Sequence, residues 1–594
     1  MTRSIFRTTL AGAFLSALLL AASVLFLSPR ALAADATPVM KDRWFYVSSG
    51  LRTDADVENI VSLIERASAV DLNGMLWAAS WDGAHTWSPE VIARLEKVKA
   101  AADKGKIEII PILWSVGYGT MTGFDPNLAE GLLVEDLPMT VHGDRALFEP
   151  EDVSIPNGDM ETWNGDQLTI DGFHDRPGAV SFRDDATVHG GATSLRFENL
   201  ETQEHGHGRI MYRVDLTPGR VYRATVWVKG ENLLGDVVIQ AYNGNGSGVA
   251  TGSIRVPREK DGSATFDWTK MHVLFQAPED GKMMLYAGIW RGKRGTMWLD
   301  DYEIEPLGLV NPLQRAGTPI TVKSADGKTI YEQGKDWALP KFTVQPWKPD
   351  AESQPILLTE GSAIKDGEKL AVDFYYPPLV GAPQIGTCMS EPELYEYFEK
   401  SAEAVAKILN PQKWFLSMDE IRCAGTCKAC KDRGISLAAI LADCIEKQRA
   451  IIKDVRPDAD VYIWSDMLDP NHNAHADYYV CDGDYTGVWD LVPKDLIISC
   501  WYYDKRELSM KFFSERGFRT HGAAYYDTDD LKSCEDWFDV CKRTPNCVGI
   551  MYTTWERKYE LLEDFGKLVA PKKASGKPIS QPGRSSRSSR SSKR

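Results

Sequence analysis

Two adjacent acids, Asp419 and Glu420, end an apolar run that begins at Trp414. The stretch before it, residues 391–409, and the stretch after it, residues 434–455, have the apolar spacing of amphipathic helices. An apolar strand between two helices is the unit of a parallel α/β sheet, whose functional groups gather at the carboxyl ends of the strands. Side chains alternate along a strand, so adjacent acids there could reach different parts of one pocket. The pair is a candidate for acid–base chemistry, and a solvated loop start is the alternative.

Four later apolar segments also end in aromatic residues and acids. Aromatic rings can cover the apolar face of a sugar, and carboxylates accept hydrogen bonds from its hydroxyl groups. This composition predicts a pocket for a neutral, polyhydroxylated substrate, although each aromatic residue alone is more often part of a core. The candidate substrate-binding residues are Trp464, Asp466, Trp501, Tyr525, Tyr526, Asp527 and Trp555, together with Arg52, Trp81 and Asp82 after the first two predicted strands.

The elements that must position these residues follow a strand–helix rhythm. Three predicted strands, the first at Trp44 and the third ending at Trp114, precede a long interruption, and five follow it. Eight is the strand number of a (β/α)₈ barrel. Residues 154–307 instead show short alternating strands without a helical pattern, which is typical of an antiparallel β-sandwich. The predicted fold is α/β: a (β/α)₈ TIM barrel interrupted after strand three by an antiparallel β-sandwich, plus a small accessory β region.

The pattern divides the chain into six segments. The predicted segments are a signal peptide (1–33), the first part of the barrel with strands 1–3 (34–150), the β-sandwich (151–307), the accessory β-rich region (308–385), the second part of the barrel with strands 4–8 (386–570) and a disordered basic Ser/Arg tail (571–594).

The N-terminus has the layout of a secretory signal. Arg3 and Arg7 precede an apolar run from Leu10 to Leu27, and Ala31-Leu-Ala33 is a small-residue cleavage site. The protein is therefore expected to be exported, either secreted or periplasmic, and an uncleaved membrane anchor is the alternative. A net charge of −16 argues against nucleic acid as a partner. A carbohydrate polymer or glycan is the expected partner, and a membrane only if the signal segment stays uncleaved.

The predicted sandwich contains four short motifs, Asn157-Gly-Asp-Met-Glu161, Val188-His-Gly190, Val226-Trp-Val-Lys-Gly230 and Trp298-Leu-Asp-Asp301. With these motifs it resembles carbohydrate-binding modules of the CenC type. The resemblance implies sugar binding and a structural calcium ion held by Glu161 and Asp300 or Asp301. A spacer domain is the alternative.

The barrel with its Asp-Glu pair resembles the β-N-acetylhexosaminidases of glycoside hydrolase family 20. The resemblance implies that Glu420 is the general acid/base and that Asp419 orients the substrate's 2-acetamido group, whose oxygen is the nucleophile. It requires no catalytic cofactor. It also implies roles for pocket residues: Trp464, Trp501 and Trp555 as walls, Tyr525 or Tyr526 at the acetamido oxygen, and Arg52 at sugar hydroxyls. The family pattern His-x-Gly-Gly-Asp-Glu reads Phe-Leu-Ser-Met-Asp-Glu here, so the histidine and both glycines are missing.

The function expected from these features is hydrolysis of glycosidic bonds in a polysaccharide or glycan outside the cell. A non-catalytic glycan-binding protein on a degenerate hydrolase barrel is the alternative, since part of the family pattern is missing. Two close negative charges repel, so one acid of the pair is expected to hold its proton near neutral pH.

The ten cysteines all lie between residues 388 and 547, and Cys423, Cys427 and Cys430 follow the acid pair closely. A disulfide fits an exported protein. A structural zinc ion fits the close spacing, with Cys444 or a histidine as the fourth ligand. The same spacing occurs in the iron–sulfur motif of radical-SAM enzymes, which remains a remote alternative because that motif follows the first barrel strand and needs a reducing compartment.

Overall fold

Eight parallel strands close a barrel in the computed structural model, which describes residues 40–381 and 384–571. The strands pair in chain order, and the last pairs with the first. They are β1 (Asp42–Ser48), β2 (Gly74–Ala78), β3 (Glu108–Leu113), β4 (Lys413–Leu416), β5 (Asp460–Trp464), β6 (Ile497–Cys500), β7 (Arg519–Ala523) and β8 (Cys547–Tyr552). The predicted eight-stranded parallel barrel is confirmed.

Seven helices of eight or more residues accompany these strands in the described part of the chain. They are α1 (Asp54–Ser68), α2 (Pro89–Gly105), α3 (Pro392–Ile408), α4 (Leu437–Val455), α5 (Arg506–Glu515), α6 (Lys532–Arg543) and α7 (Leu562–Val569). Local sequence fixes where the first two begin. Thr53 and Asp56 form a capping box at α1, and the Ser88 hydroxyl accepts from the backbone of α2, which opens with a proline. None of the described helices is long and apolar enough to cross a membrane.

The predicted signal segment, residues 1–33, lies outside the described residues, and so does the basic tail beyond Pro571.

The inside of the barrel is filled by side chains rather than open. Phe415 on β4 is fully buried, and its ring lies 4.6 Å from that of Trp464 on β5. The other buried residues of this cluster are Trp44, Tyr46, Leu76, Ile110, Ile112, Tyr462, Ile497, Ala523 and Met551. A packed interior leaves the two ends of the barrel as the places for a site, and parallel barrels use the carboxyl end of their strands.

Residues 114–412 separate β3 from β4 and contain antiparallel sheets. The larger one, here called the insert sheet, has eight strands. Two of them, Val221–Asn243 and Lys282–Leu307, pair along most of their length. The other six strands are Gly172–His174, Ser181–Asp184, Ser194–Phe197, Gly208–Asp215, Gly248–Ser253 and Ala264–Gln276. The antiparallel strands expected from the alternating pattern are therefore present.

A second antiparallel sheet has seven strands and draws on both sides of the insert sheet. Its strands are Leu132–His142, Arg145–Phe148, Thr321–Ser324, Ile330–Tyr331, Trp337–Ala338, Ile356–Leu358 and Lys369–Tyr376. The first two belong to the range predicted as barrel, but Leu132–His142 pairs with Lys369–Tyr376. A strand's own residues do not specify its distant partner, so the sequence could not reveal this pairing.

Replacing Phe415 with alanine should destabilise the protein by about 3–5 kcal/mol, because it leaves a cavity inside the barrel. The exposed Ile330→Ala variant, at a side chain that is 70% exposed, should stay within about 0.5 kcal/mol of the wild type. Chemical denaturation of both variants measures the difference. Equal stability of the two would contradict a packed barrel interior.

Candidate active site

The acid pair lies just beyond the carboxyl end of β4, which ends at Leu416. Glu420 has a left-handed backbone with a φ of 48°, which is uncommon for a residue with a side chain. Gly117, after β3, packs against this turn, and a Cβ atom there would lie 2.2 Å from the carbonyl oxygen of Asp419. The turn is therefore held against the end of the neighbouring strand and can fit only where residue 117 has no side chain.

Three donors surround the Glu420 carboxylate. The Tyr118 hydroxyl donates to Oε2 at 2.5 Å, and the Gln384 amide donates to the same oxygen at 2.8 Å. The Arg422 guanidinium lies 3.0 Å from Oε1 and also donates to Gln384. Charge-assisted hydrogen bonds of this kind suit an ionised carboxylate.

Asp419 has different surroundings. The Ser417 hydroxyl donates to its Oδ1 at 3.0 Å. Burial, and then the negative charge of Glu420, raises the pKa of Asp419 to about 6. The Asp419 carboxyl group therefore keeps its proton to a higher pH than an exposed aspartic acid does.

Asp466, after β5, is fully buried behind the pair. Its Oδ2 accepts from the Glu420 backbone N–H at 2.8 Å and from the Asn473 amide at 2.9 Å. The Trp501 indole donates to its Oδ1 at 3.3 Å. Burial, and then the charge of Asp419, raises the pKa of Asp466 to about 8. These contacts make Asp466 a positioning residue for the Glu420 turn.

Aromatic residues near the ends of five strands form walls beside the acids. The rings of Trp464 and Trp555 lie 6.0 Å apart, and Tyr46 lies 5.3 Å from Trp555. Trp501 stacks with Tyr526 at 6.4 Å. The pKa of the Tyr526 hydroxyl is raised by burial and then by the negative charges of Asp466 and Glu420. Tyr526 therefore lies near both carboxylates. Trp555 is 45% exposed, so an aromatic face remains open to solvent.

Three residues predicted to bind substrate have other contacts. Trp81 is fully buried, donates to the Trp77 carbonyl and packs on Trp77. Asp82 is buried and accepts from the Trp114 backbone N–H at 2.6 Å. Arg52 is exposed before α1, and its carbonyl accepts from Arg94. Trp81 and Asp82 therefore pack inside the protein, whereas Arg52 lies on its surface, and substrate binding by these three residues stays a prediction.

The two tyrosine candidates after β7, Tyr525 and Tyr526, face different directions because successive side chains alternate along the backbone. Tyr525 is buried, stacks on Tyr552 at 4.2 Å and donates to the Thr528 carbonyl. It therefore faces away from the acids, whereas Tyr526 faces them. Asp527 accepts from the Trp555 backbone N–H at 2.8 Å and from the Thr554 hydroxyl. It holds the strand-eight loop that carries Trp555.

Four further site residues were not among the sequence candidates: Tyr118, Gln384, Arg422 and Asn473. Tyr118 and Arg422 had a signal, since the first belongs to the aromatic cluster after the third strand and the second follows Glu420 by two residues. Gln384 had none, because it belongs to the predicted accessory region.

A cavity of 530 Å³ lies between Arg422, at the edge of this site, and the insert sheet. Arg422, Tyr478 and Tyr479 line it from the barrel, and Gln240 and Tyr242 line it from the insert sheet. The Arg422 guanidinium lies 4.8 Å from the centre of the Tyr479 ring. The cavity is therefore lined both by Arg422, which contacts Glu420, and by residues of the insert sheet.

The cysteines after the acid pair do not form one group. Cys427 and Cys430 lie together with Cys388 and Glu130, and all four are buried. The thiol of Cys423 instead lies 4.0 Å from the Thr426 hydroxyl. Cys423 is therefore wrong as a partner of the other two, because the turn between residues 423 and 427 directs its side chain elsewhere.

The residues expected to hold calcium contact a loop of the inserted region. Glu161 Oε1 accepts from the backbone N–H groups of Ala192 and Thr193, at 2.7 and 3.1 Å. Asp300 Oδ2 accepts from those of His189 and Gly190, at 2.8 and 3.2 Å. Both carboxylates thus fasten the same loop, and calcium binding stays a prediction.

No protein-family model matches the chain, and no curated protein matches it. Among solved structures, a rhamnosidase from Novosphingobium sp. PP1Y aligns with 88% of this chain and 55% of its own, at 10% identity and a TM-score of 0.30. TmCBM61 in complex with β-1,4-galactotriose aligns with 25% of this chain and 90% of its own, at 14% identity and a TM-score of 0.19. The CBM22-1 xylan-binding domain from Paenibacillus barcinonensis Xyn10C aligns with 26% and 92%, at 13% identity and a TM-score of 0.19.

These neighbours are carbohydrate-binding modules and a glycoside hydrolase. Similarity at such TM-scores assigns no function to this chain.

Replacing Gly117 with alanine should lower the free energy of unfolding by about 1–3 kcal/mol, because the new methyl group meets the backbone of the acid pair. Gly123→Ala is the matched control, since a Cβ atom there meets nothing within 4 Å. Denaturant unfolding of both variants provides the measurement. A Gly117→Ala protein as stable as the control would show that the turn is not packed against residue 117.

Proposed function

We propose that this protein hydrolyses glycosidic bonds and that Asp419 and Glu420 are its catalytic residues. The observation that carries the proposal is a pair of adjacent carboxyl groups with unlike surroundings, at the carboxyl end of a barrel strand and beside exposed aromatic rings. Glycosidic cleavage needs a proton for the leaving oxygen and negative charge near the anomeric carbon. Two carboxyl groups with unlike surroundings can divide these two roles between them.

The contacts favour a division of roles. Asp419, with a pKa of about 6, is the better proton donor. Glu420, bonded by Arg422, Tyr118 and Gln384, is the better source of fixed negative charge. The family resemblance gave the proton transfer to Glu420 instead. Both assignments use the same two acids, but the contacts exchange the roles of Asp419 and Glu420.

A 2-acetamido sugar remains the proposed substrate type. In substrate-assisted cleavage the acetamido oxygen attacks the anomeric carbon, so the enzyme must hold that group in place. Trp464, Trp501 and Trp555 are proposed as the walls around it, and Tyr526 as the hydroxyl that donates to its oxygen. Tyr526 is preferred to Tyr525, whose hydroxyl already donates to the Thr528 carbonyl.

We propose an extended glycan rather than a single sugar as the substrate. The cavity beside Arg422 continues to Gln240 and Tyr242 of the insert sheet, and Tyr479 lines the same space. Aromatic and amide side chains are suitable contacts for sugar rings and hydroxyl groups. We therefore propose that the insert sheet binds sugars that extend from the cleaved bond, and that the substrate lies outside the cell, as the predicted signal segment suggests.

Non-catalytic glycan binding is the second candidate, and one observation favours it. Both oxygens of Glu420 already have donors within the protein, which would suit a carboxylate that only maintains the pocket. The two candidates differ in turnover, and binding alone cannot separate them.

Wild-type protein should release the leaving group from 2-acetamido aryl glycosides, and Glu420→Gln and Asp419→Asn should each lower kcat by about 10²–10⁴-fold. Glu556→Gln, at an exposed acid paired with Lys558, is the matched control and should keep wild-type turnover. Release only from glycosides without the acetamido group would contradict the substrate-assisted route. No turnover on aryl glycosides or polymers, with glycan binding retained, would establish the binding protein.

The kcat should fall as the pH rises above about 6, because Asp419 must carry its proton to act as the donor and loses it near that pH. A kcat profile between pH 4 and 9 measures this descending limb. In Glu420→Gln the negative neighbour is gone, so the pKa of Asp419 should drop and the limb should move to lower pH. A descending limb that stays at the same pH in Glu420→Gln would contradict the assignment of the proton to Asp419.

A further inference from the structure

Four buried side chains form a compact group beside the loop that follows the acid pair. Glu130, Cys388, Cys427 and Cys430, here called the Cys₃Glu cluster, have potential ligand atoms that all lie within 4.8 Å of one another. The sulfur of Cys388 lies 3.4 Å from that of Cys427 and 3.7 Å from that of Cys430. Glu130 Oε2 lies 3.5 Å from the sulfur of Cys430.

These separations resemble the edges of a small tetrahedron. With zinc–sulfur bonds of about 2.3 Å and zinc–oxygen bonds of about 2.1 Å, tetrahedral ligands lie about 3.8 Å apart when both are sulfur and about 3.6 Å apart when one is oxygen. The observed distances fall close to both values. Three of the six ligand–ligand separations thus match a tetrahedral zinc site, and the other three are within 4.8 Å.

The Glu130 carboxylate is held so that one oxygen stays free for the cluster. Its Oε1 accepts from the Cys427 backbone N–H at 2.7 Å, the Thr426 backbone N–H at 3.0 Å and the Thr426 hydroxyl at 2.9 Å. Hydrogen bonds of this kind orient the ligands of metal sites. The other oxygen, Oε2, faces Cys430.

The surroundings also donate to the sulfur atoms. The Arg315 guanidinium lies 3.6 Å from the sulfur of Cys427, and the Ser390 hydroxyl lies 3.2 Å from that of Cys430. Such donors stabilise thiolates around a metal. Arg315 is itself held by an ion pair with Glu391 at 2.7 Å.

We propose that the Cys₃Glu cluster binds one structural zinc ion. Soft thiolates with a single carboxylate select zinc over calcium or magnesium, and four protein ligands leave no open position for substrate. Cys388, which lies far from the others in sequence, replaces Cys423 of the predicted set. The proposal does not depend on the reaction at the acid pair.

The position of the ion gives it a function in the architecture. Glu130 lies where the chain leaves the barrel for the inserted sheets, and Cys388 lies where it returns. Cys427 and Cys430 belong to the loop that begins with the acid pair. One ion would therefore fasten both ends of the insertion to the loop that carries Glu420 and Arg422.

A disulfide is the competing use of these cysteines in an exported protein. It would link two of the three sulfur atoms and leave the third thiol buried without a covalent partner. A metal ion uses all three cysteines and explains the orientation of Glu130.

The full chain, purified without chelators or reducing agents, should contain one zinc ion per molecule by inductively coupled plasma mass spectrometry. Cys388→Ser and Cys430→Ser should lose that ion. Cys423→Ser is the matched control, since Cys423 is equally buried but outside the cluster, and it should retain the zinc. Because a buried variant could fail to fold, wild-type protein should also be loaded with cobalt(II) alone, whose absorption should show tetrahedral thiolate coordination.

Three results would overturn the proposal. One is a metal-free protein whose peptide map shows a disulfide between two of these cysteines. Another is iron in place of zinc. The third is an equal loss of zinc in Cys423→Ser and Cys388→Ser.

Discussion

The hydrogen bond from the Glu420 backbone to the buried Asp466 carboxylate connects the ends of β4 and β5, and the geometry of the site depends on it. Glu420 has a left-handed backbone, which a residue with a side chain keeps only when its surroundings stabilise it. Asp466 supplies that stabilisation from one side, and the close approach of Gly117 supplies it from the other. The turn directs the Glu420 side chain toward Arg422 and Tyr118 rather than along the line of the strand.

The three carboxyl groups at this site have different surroundings. Glu420 reaches three donors, whereas Asp419 has the Ser417 hydroxyl and the repulsion of Glu420. Asp466 is removed from solvent entirely, and its pKa rises further, to about 8. These carboxyl groups are neighbours along the chain or across two strands. They nevertheless differ in their access to water and to hydrogen-bond donors.

The insertion contributes to the barrel site. Gln384, at the end of the inserted region, donates to Glu420, and Gln240 and Tyr242 of the insert sheet line the cavity beside Arg422. Glu130 and Cys388 place both ends of the insertion against the loop after β4. A barrel loop that carries so many residues is usually free to vary. Here its ends are tied to the acid pair by direct contacts.

Periodicity and strand-end composition are local properties, so the sequence alone predicted the eight barrel strands, the antiparallel strands between β3 and β4, and the acid pair after β4. Tertiary structure alone decided that Tyr526 rather than Tyr525 faces the acids and that Cys388 rather than Cys423 joins Cys427. It also decided the pairing of Leu132–His142 with Lys369–Tyr376. These features depend on contacts between residues far apart in the chain. A local sequence pattern does not specify which distant side chain a residue will contact.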